Sequence, residues 1–215
     1  MSASTVLLWR HGQTDYNAGG KLQGQVDIAL NEIGRAQAAA AAEVLMRVQP
    51  VRIVSSDLSR AHATAQSLAE RVGIDVHLDE RLRERGFGEW EGLTHPEIAE
   101  RWPEQFQVWT GGGHPDGVGA ETRGGTGQRL AAAVREQAAA MDGGVLVVTS
   151  HGAAISSGIT SLLGLDAEDW RGITGLGNCH WSVLRENPGS EPDWRLTAHN
   201  VGLEGPDFTH GPSIR

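Results

Sequence analysis

Two apolar runs, each breaking off near a histidine, organise the pattern of this chain. Val6-Leu7-Leu8-Trp9 is followed at once by Arg10-His11-Gly12, and Val145-Leu146-Val147-Val148 by Thr149-Ser150-His151-Gly152. Unbroken apolar runs of this length suit strands covered on both faces, as in a parallel sheet. The pattern predicts strands over 4–9 and 145–149, with shorter ones over 51–55 and 74–78. Between them the period changes to that of helices. Asn31 suits an N-cap for a helix to about Val48, with Ile33, Ala36, Ala40, Val44 and Val48 forming its apolar face. Leu58 to Val72 reads as a second helix, stopped by Gly73. One or two short helices fit between Pro96 and Trp109, divided at Pro103. An alanine-rich helix is expected over 128–141 and another over 153–163.

The glycine-rich stretch from Gly111 to Gly127 reads as a long loop, a feature that is usually functional or mobile in a compact domain. His180–Arg185 and Trp194–His199 read as a hairpin around Asn187-Pro188-Gly189. The tail from residue 203 is rich in Gly and Pro and is expected to fray. Strands alternating with helices predict an α/β fold, a three-layer α/β/α arrangement around a mostly parallel sheet. The 215 residues suffice for one well-buried domain, expected to span 1–215.

The placement of Arg10 and His11 gives the pattern a chemical meaning. Ligands bind at the carboxyl ends of strands in open α/β sheets. A guanidinium beside an imidazole at such an end suits phosphate chemistry. The formal net charge of −9 argues against general affinity for nucleic acid. It leaves room for a local cationic pocket formed by Arg10, Arg60 and Lys21, the only lysine in the sequence. No apolar run approaches the roughly 20 residues that span a bilayer, so no membrane partner is expected. The N-terminus carries no signal-peptide pattern, and a single cysteine fits a reducing compartment. A cytoplasmic location is the expectation.

Four separated motifs narrow the reading. Arg10-His11-Gly12-Gln13-Thr14-Asp15-Tyr16-Asn17 leads into Gln23-Gly24. Ser55-Ser56-Asp57-Leu58-Ser59-Arg60 comes next, then Leu82-Arg83-Glu84-Arg85-Gly86-Phe87-Gly88-Glu89-Trp90-Glu91-Gly92, then Thr149-Ser150-His151-Gly152. In this order they resemble the histidine phosphatase, or phosphoglycerate-mutase-like, superfamily. The resemblance implies a phosphomonoesterase working through a phosphohistidine, without cofactor or metal, on a small anionic phosphorylated substrate. It assigns His11 as nucleophile. Arg10, Arg60 and His151 become holders of the phosphoryl oxygens, and Glu84 the general acid, with Glu89 and Glu91 as rivals. Thr14, Asn17, Gln23 and Gly24 line the phosphate pocket or its entrance. A homodimer is also implied.

The same residues bear on other readings. The mutases of the superfamily grip a carboxylate with a tyrosine and lysine after the acid loop and with paired arginines. Here Tyr16 and Lys21 come earlier and no two arginines are adjacent, which favours a phosphatase. A catalytically silent interaction module would have lost a central residue, and none is lost. Cys179 to Arg185 fits the C-x₅-R spacing of cysteine phosphatases, but the residues between alternate as in a strand. Trp90, Trp102 and Trp109 are candidates for core or for pocket lining. Ala120-Glu121-Thr122 departs from the family's Gly-Glu-Ser pattern.

Overall fold

The computed structural model describes residues 2–203. Six strands form one mixed sheet: β1 Thr5–Arg10, β2 Pro50–Ser55, β3 Val76–Leu78, β4 Val145–Ser150, β5 Trp181–Glu186 and β6 Trp194–Val201. Their order is β3-β2-β4-β1-β5-β6. The first four run parallel, while β5 and β6 are antiparallel to their neighbours. The helices are α1 Asp15–Ala18, α2 Glu32–Leu45, α3 Ser59–Val72, α4 His95–Arg101, α5 Pro103–Thr110, α6 Arg123–Ala139 and α7 Gly152–Leu162. The α/β class and the mostly parallel sheet agree with the sequence reading.

Side chains alternate across the central strands because the strand period is two. Val6 and Leu8 of β1 join Val54, Leu146 and Val148 against α6 and α7. Leu7 and Trp9 join Ile53 and Val147 against α2 and α3. A third, smaller cluster of Phe87, Trp90, Ile98 and Val118 packs under α4 and α5. Trp90 is fully buried there and meets Trp109 edge-on at 5.7 Å between ring centroids. It is core, not pocket lining.

Three details differ from the pattern-based reading. The buried face of α2 is Gly34, Ala38, Ala41, Ala42 and Leu45, whereas Ile33, Val44 and Val48 are exposed. Close backbone approach decides this. A Cβ on Gly34 would lie 2.0 Å from the Gln13 carbonyl oxygen, and one on Gly12 would lie 2.4 Å from that of Gly34. Only glycine on both sides lets α2 rest on the turn after β1. Second, α6 begins at Arg123, capped by Thr122, whose side chain accepts from the Gly125 amide. Its glycines disguise a helix as loop, yet Gly127 serves packing: a Cβ there would lie 2.6 Å from the Ser157 carbonyl oxygen of α7. Third, the register of the C-terminal hairpin extends to Glu186 and Val201. The tail expected to fray lies, beyond Leu203, outside the described residues.

Candidate active site

The parallel strands β1, β2 and β4 end level with one another: Arg10 pairs with Ser150 and Ser55 with Thr149. The residues that follow are therefore delivered to one place. His11 and His151, 140 positions apart in sequence, have ring centroids 5.0 Å apart. Both are buried, at 2% and 0% exposure.

His11 Nδ1 lies 2.7 Å from the carbonyl oxygen of Gly12. A carbonyl only accepts, so Nδ1 carries the proton and Nε2 keeps its lone pair. Burial, and then the positive charges of Arg60 and Arg10, hold the His11 pKa well below its ordinary value. The ring is neutral at pH 7, the state in which an imidazole is a nucleophile. The turn beneath it is fixed by the Gly12 amide donating to Thr64 Oγ1 at 3.1 Å. From the other side, Cys179 N–H and Asn178 Nδ2 both donate to the His11 carbonyl, each at 3.1 Å.

Arg60 is wholly buried in the first turn of α3. Nη1 donates to Val26 O and Nη2 to Gly24 O, both at 2.8 Å, while Nε donates to His151 Nδ1 at 3.2 Å. Since a guanidinium only donates, His151 Nδ1 is unprotonated and its Nε2–H points to Ser56 Oγ at 2.9 Å. His151 is also held neutral, by burial and then by Arg60. Burial lowers the Arg60 pKa to about 10, which still leaves it charged. Arg10 donates from Nη1 to the Leu176 carbonyl and borders Gly152.

Glu84 caps α7 from outside the helix. Its Oε1 accepts from Ala154 N at 2.8 Å and its Oε2 from Ala153 N at 3.2 Å. Arg85 N also donates to Oε1 at 2.8 Å. A helix N-terminus offers free N–H groups and a favourable dipole for a carboxylate. Of its rivals, Glu91 accepts from Gln25 N and Phe87 N and so fastens two loops; Glu89 is exposed.

The entrance residues come together as well, with a mainly architectural part visible. Thr14 is the N-cap of α1 in a capping box with Asn17, and its hydroxyl donates to Gln23 Oε1 at 2.8 Å. Asn17 Oδ1 accepts from Asn178 Nδ2 at 3.2 Å. Gly24 has φ +52°, and a Cβ there would fall 2.0 Å from Glu91 Oε1.

Sequence reasoning passed over Ser56, Asn178 and, above all, Arg129. Arg129 forms a forked ion pair with Glu121, Nε to Oε1 at 2.7 Å and Nη2 to Oε2 at 2.8 Å. It also donates to the carbonyls of Arg81, Arg83 and Glu84. Its position inside an alanine-rich helix gave no signal; only the folded loop reveals it. The C-x₅-R alternative fails on geometry. Burial pushes the Cys179 thiol up to about 12, and Trp181–Glu186 is strand β5, not a phosphate-wrapping loop.

A neutral buried imidazole with a free nitrogen, two guanidiniums, a second imidazole and a helix-capping carboxylate form a set suited to phosphoryl transfer through histidine. The comparison with known proteins agrees. Residues 6–201 match the family model of the histidine phosphatase superfamily (branch 1), and the chain belongs to that family; it is a phosphatase. It is similar to glucosyl-3-phosphoglycerate phosphatase of Mycobacterium tuberculosis, 40% identical over 95% of this chain and 97% of that one. It is likewise 39% identical to the enzyme of the same name from Mycolicibacterium vanbaalenii, with the same coverage. A solved structure of the mycobacterial enzyme with VO3 superposes with a TM-score of 0.84, at 39% identity, covering 93% of this chain and all of that one. Among the described residues no helix is long and apolar enough to cross a membrane.

Proposed function

We propose that this phosphatase removes the phosphoryl group of glucosyl-3-phosphoglycerate, releasing glucosylglycerate and phosphate. The observation that carries the chemistry is the hydrogen bond from His11 Nδ1 to Gly12 O, which leaves Nε2 free on a neutral ring. Nε2 attacks phosphorus in line while the bond to the leaving oxygen breaks, giving phosphohistidine. Arg10, Arg60 and His151 hold the three non-bridging oxygens, in a fork geometry that suits arginine. Binding there frees His151 from its resting contacts with Arg60 and Ser56. Glu84 takes a proton from the incoming phosphomonoester monoanion, gives it to the departing alkoxide and later takes one from the water that cleaves phosphohistidine. Thr14, Asn17, Gln23 and Gly24 shape the entrance. No step calls on a metal or cofactor.

The substrate follows from the relatives, which carry that activity in name along nearly the whole length of this chain. A cytoplasmic homodimer belongs to the same reading. Its support on the surface is two separate exposed apolar side chains at this edge of the sheet, Val51 of β2 and Leu78 of the edge strand β3, 58% and 52% exposed; light scattering in dilute buffer tests the dimer.

The deciding experiment measures phosphate release in EDTA by wild type and His11→Ala. The panel holds glucosyl-3-phosphoglycerate, 3-phosphoglycerate, sugar phosphates and p-nitrophenyl phosphate. The expected result is a kcat/KM above about 10⁴ M⁻¹s⁻¹ on glucosyl-3-phosphoglycerate alone, abolished in His11→Ala. Glu84→Gln should accumulate an acid-labile phosphoenzyme. Uniformly slow, His11-dependent turnover would retain the chemistry and discard the substrate.

A further inference from the structure

The acid loop carries a second arginine that the chemistry above does not use. Arg85 is 2% exposed. Its Nε donates to the Glu121 carbonyl at 2.7 Å, and its guanidinium lies 5.4 Å from the centroid of the Phe87 ring. Its Nη2, however, is buried with no hydrogen-bond partner. A buried charged donor without an acceptor is a costly arrangement in a folded protein.

The neighbourhood deepens the imbalance. Arg123, two residues beyond the carbonyl that Arg85 grips, donates from Nε to Ala167 O at 3.2 Å. Arg171 donates to the Glu168 and Gly112 carbonyls. These are neutral acceptors and cancel no charge. The Glu168 carboxylate accepts from Gly124 N at 2.8 Å, and the Glu121 carboxylate is taken by Arg129. The carboxylates that act on Arg85, those of Glu168, Glu84 and Glu121, are held by backbone amides or by Arg129, and none of them meets Arg85 Nη2. Burial, followed by repulsion from Arg123, lowers Arg85 to about 10; Arg123 is lowered by its own burial and by Arg171. An anion arriving here meets a charged donor that needs an acceptor.

The place is informative. Glu84 acts electrostatically on both Arg60 and Arg85, so its carboxylate links the phosphoryl-binding arginine to this cluster. The general acid stands beside the leaving oxygen. Groups attached to that oxygen consequently extend toward the loop that carries Glu84 and Arg85.

We propose that Arg85 and Arg123 form a second anion subsite, which receives a carboxylate carried on the leaving group of the phosphomonoester. This deepens the functional reading above and rests on its assignment of Glu84 to the leaving-group side. Arg123, half-buried, is the outer member that meets the substrate first, and Arg85 Nη2 supplies the inner donor. The subsite replaces, with residues elsewhere in the chain, the carboxylate grip that the sequence lacks.

The test uses a pair of substrates that differ only in that group, 3-phosphoglycerate and glycerol 3-phosphate. The readout is the ratio of their kcat/KM values in wild type, Arg85→Gln and Arg123→Gln. Wild type should favour 3-phosphoglycerate. Each substitution should lower the ratio by about tenfold or more, as for a lost charge-assisted hydrogen bond, with the loss residing mainly in KM. Arg123→Gln covers the case in which Arg85→Gln fails to fold. A wild type indifferent to the carboxylate overturns the proposal, and so does an unchanged ratio in Arg123→Gln. If glucosyl-3-phosphoglycerate is not hydrolysed while the ratio still collapses in the variants, the subsite stands and the substrate assignment falls. If glucosyl-3-phosphoglycerate is hydrolysed while the ratio stays unmoved, the substrate assignment stands and the subsite falls.

Discussion

Arg129 grips both carboxylate oxygens of Glu121, at 2.7 and 2.8 Å, and with its remaining donors holds three carbonyls of the loop that carries Glu84. One side chain of α6 thereby sets where the carboxylate meets the start of α7. Lysine cannot reproduce a planar fork that serves five acceptors. Arg129→Lys should lower kcat by about 10–100-fold, as small misplacements of catalytic groups do, with a much smaller effect on KM. It should also cost about 2 kcal/mol, from broken charge-assisted bonds. Steady-state kinetics and a melting curve check both, and an unchanged kcat would deny the loop-positioning role.

Gly34 supports the turn after His11 through its backbone. Gly34→Ala would drive a Cβ to 2.0 Å from the Gln13 carbonyl oxygen, and neither backbone can yield without shifting the turn after His11. The expected loss is about 3 kcal/mol, at the upper end for overpacking, together with reduced activity. Gly175, where an added Cβ meets nothing within 4 Å, is the control: Gly175→Ala should change the urea midpoint little.

The two buried imidazoles make stability depend on pH in a definite direction. The His11 and His151 pKa values are lowered on folding, so below pH 6.5 the unfolded chain binds more protons than the native one. Stability must then fall as pH falls from 6.5 toward the lowered values, by up to about 1.4 kcal/mol per pH unit for each imidazole. His199 is lowered too and adds in the same sense. The lowered carboxylates, such as Asp57 and Asp79, act at more acidic pH. Urea titrations in phosphate-free buffer at pH 7.5, 6.5 and 5.5 should show the decline, and His151→Asn should flatten it. A stability independent of pH across this window would contradict the burial of neutral imidazoles.

Cys179 should be inert. Its thiol is buried and pushed up to about 12, leaving almost no thiolate near neutrality. A disulfide-exchange reagent should leave native activity intact over hours yet titrate one thiol in denaturant. Rapid inactivation of the native enzyme would reopen a role for the thiol.

What was legible in the sequence had local causes. Apolar runs doubled as strands β1 and β4 because burial on both faces demands them, and Gly12 and Gly152 marked their ends. The motifs around His11, Arg60, Glu84 and His151 stand out because strand-end chemistry concentrates unusual residues in short stretches. Periodicity misled where packing, not polarity, chose the buried face. In α2 the backbone crossing at Gly12 and Gly34 turned the helix so that alanines face the core and Ile33 faces water. In α6 the glycines resembled a loop because a helix-to-helix approach and a flexible connector leave the same mark on a sequence.

The sequence by itself determined the strands and most helices, and marked the short stretches that carry His11, Arg60, Glu84 and His151, since each of these depends on neighbours a few positions away. Only the tertiary structure decided how those residues are wired. That the His11 ring meets that of His151, that Glu84 caps α7 and that Arg129 holds the acid loop are relations among residues 140, 70 and 45 positions apart. The buried, partnerless nitrogen of Arg85 is likewise a product of the fold. Hydrogen-bond direction and charge balance exist only once the chain has brought such groups within a few ångströms, which no reading of spacing along the chain can supply.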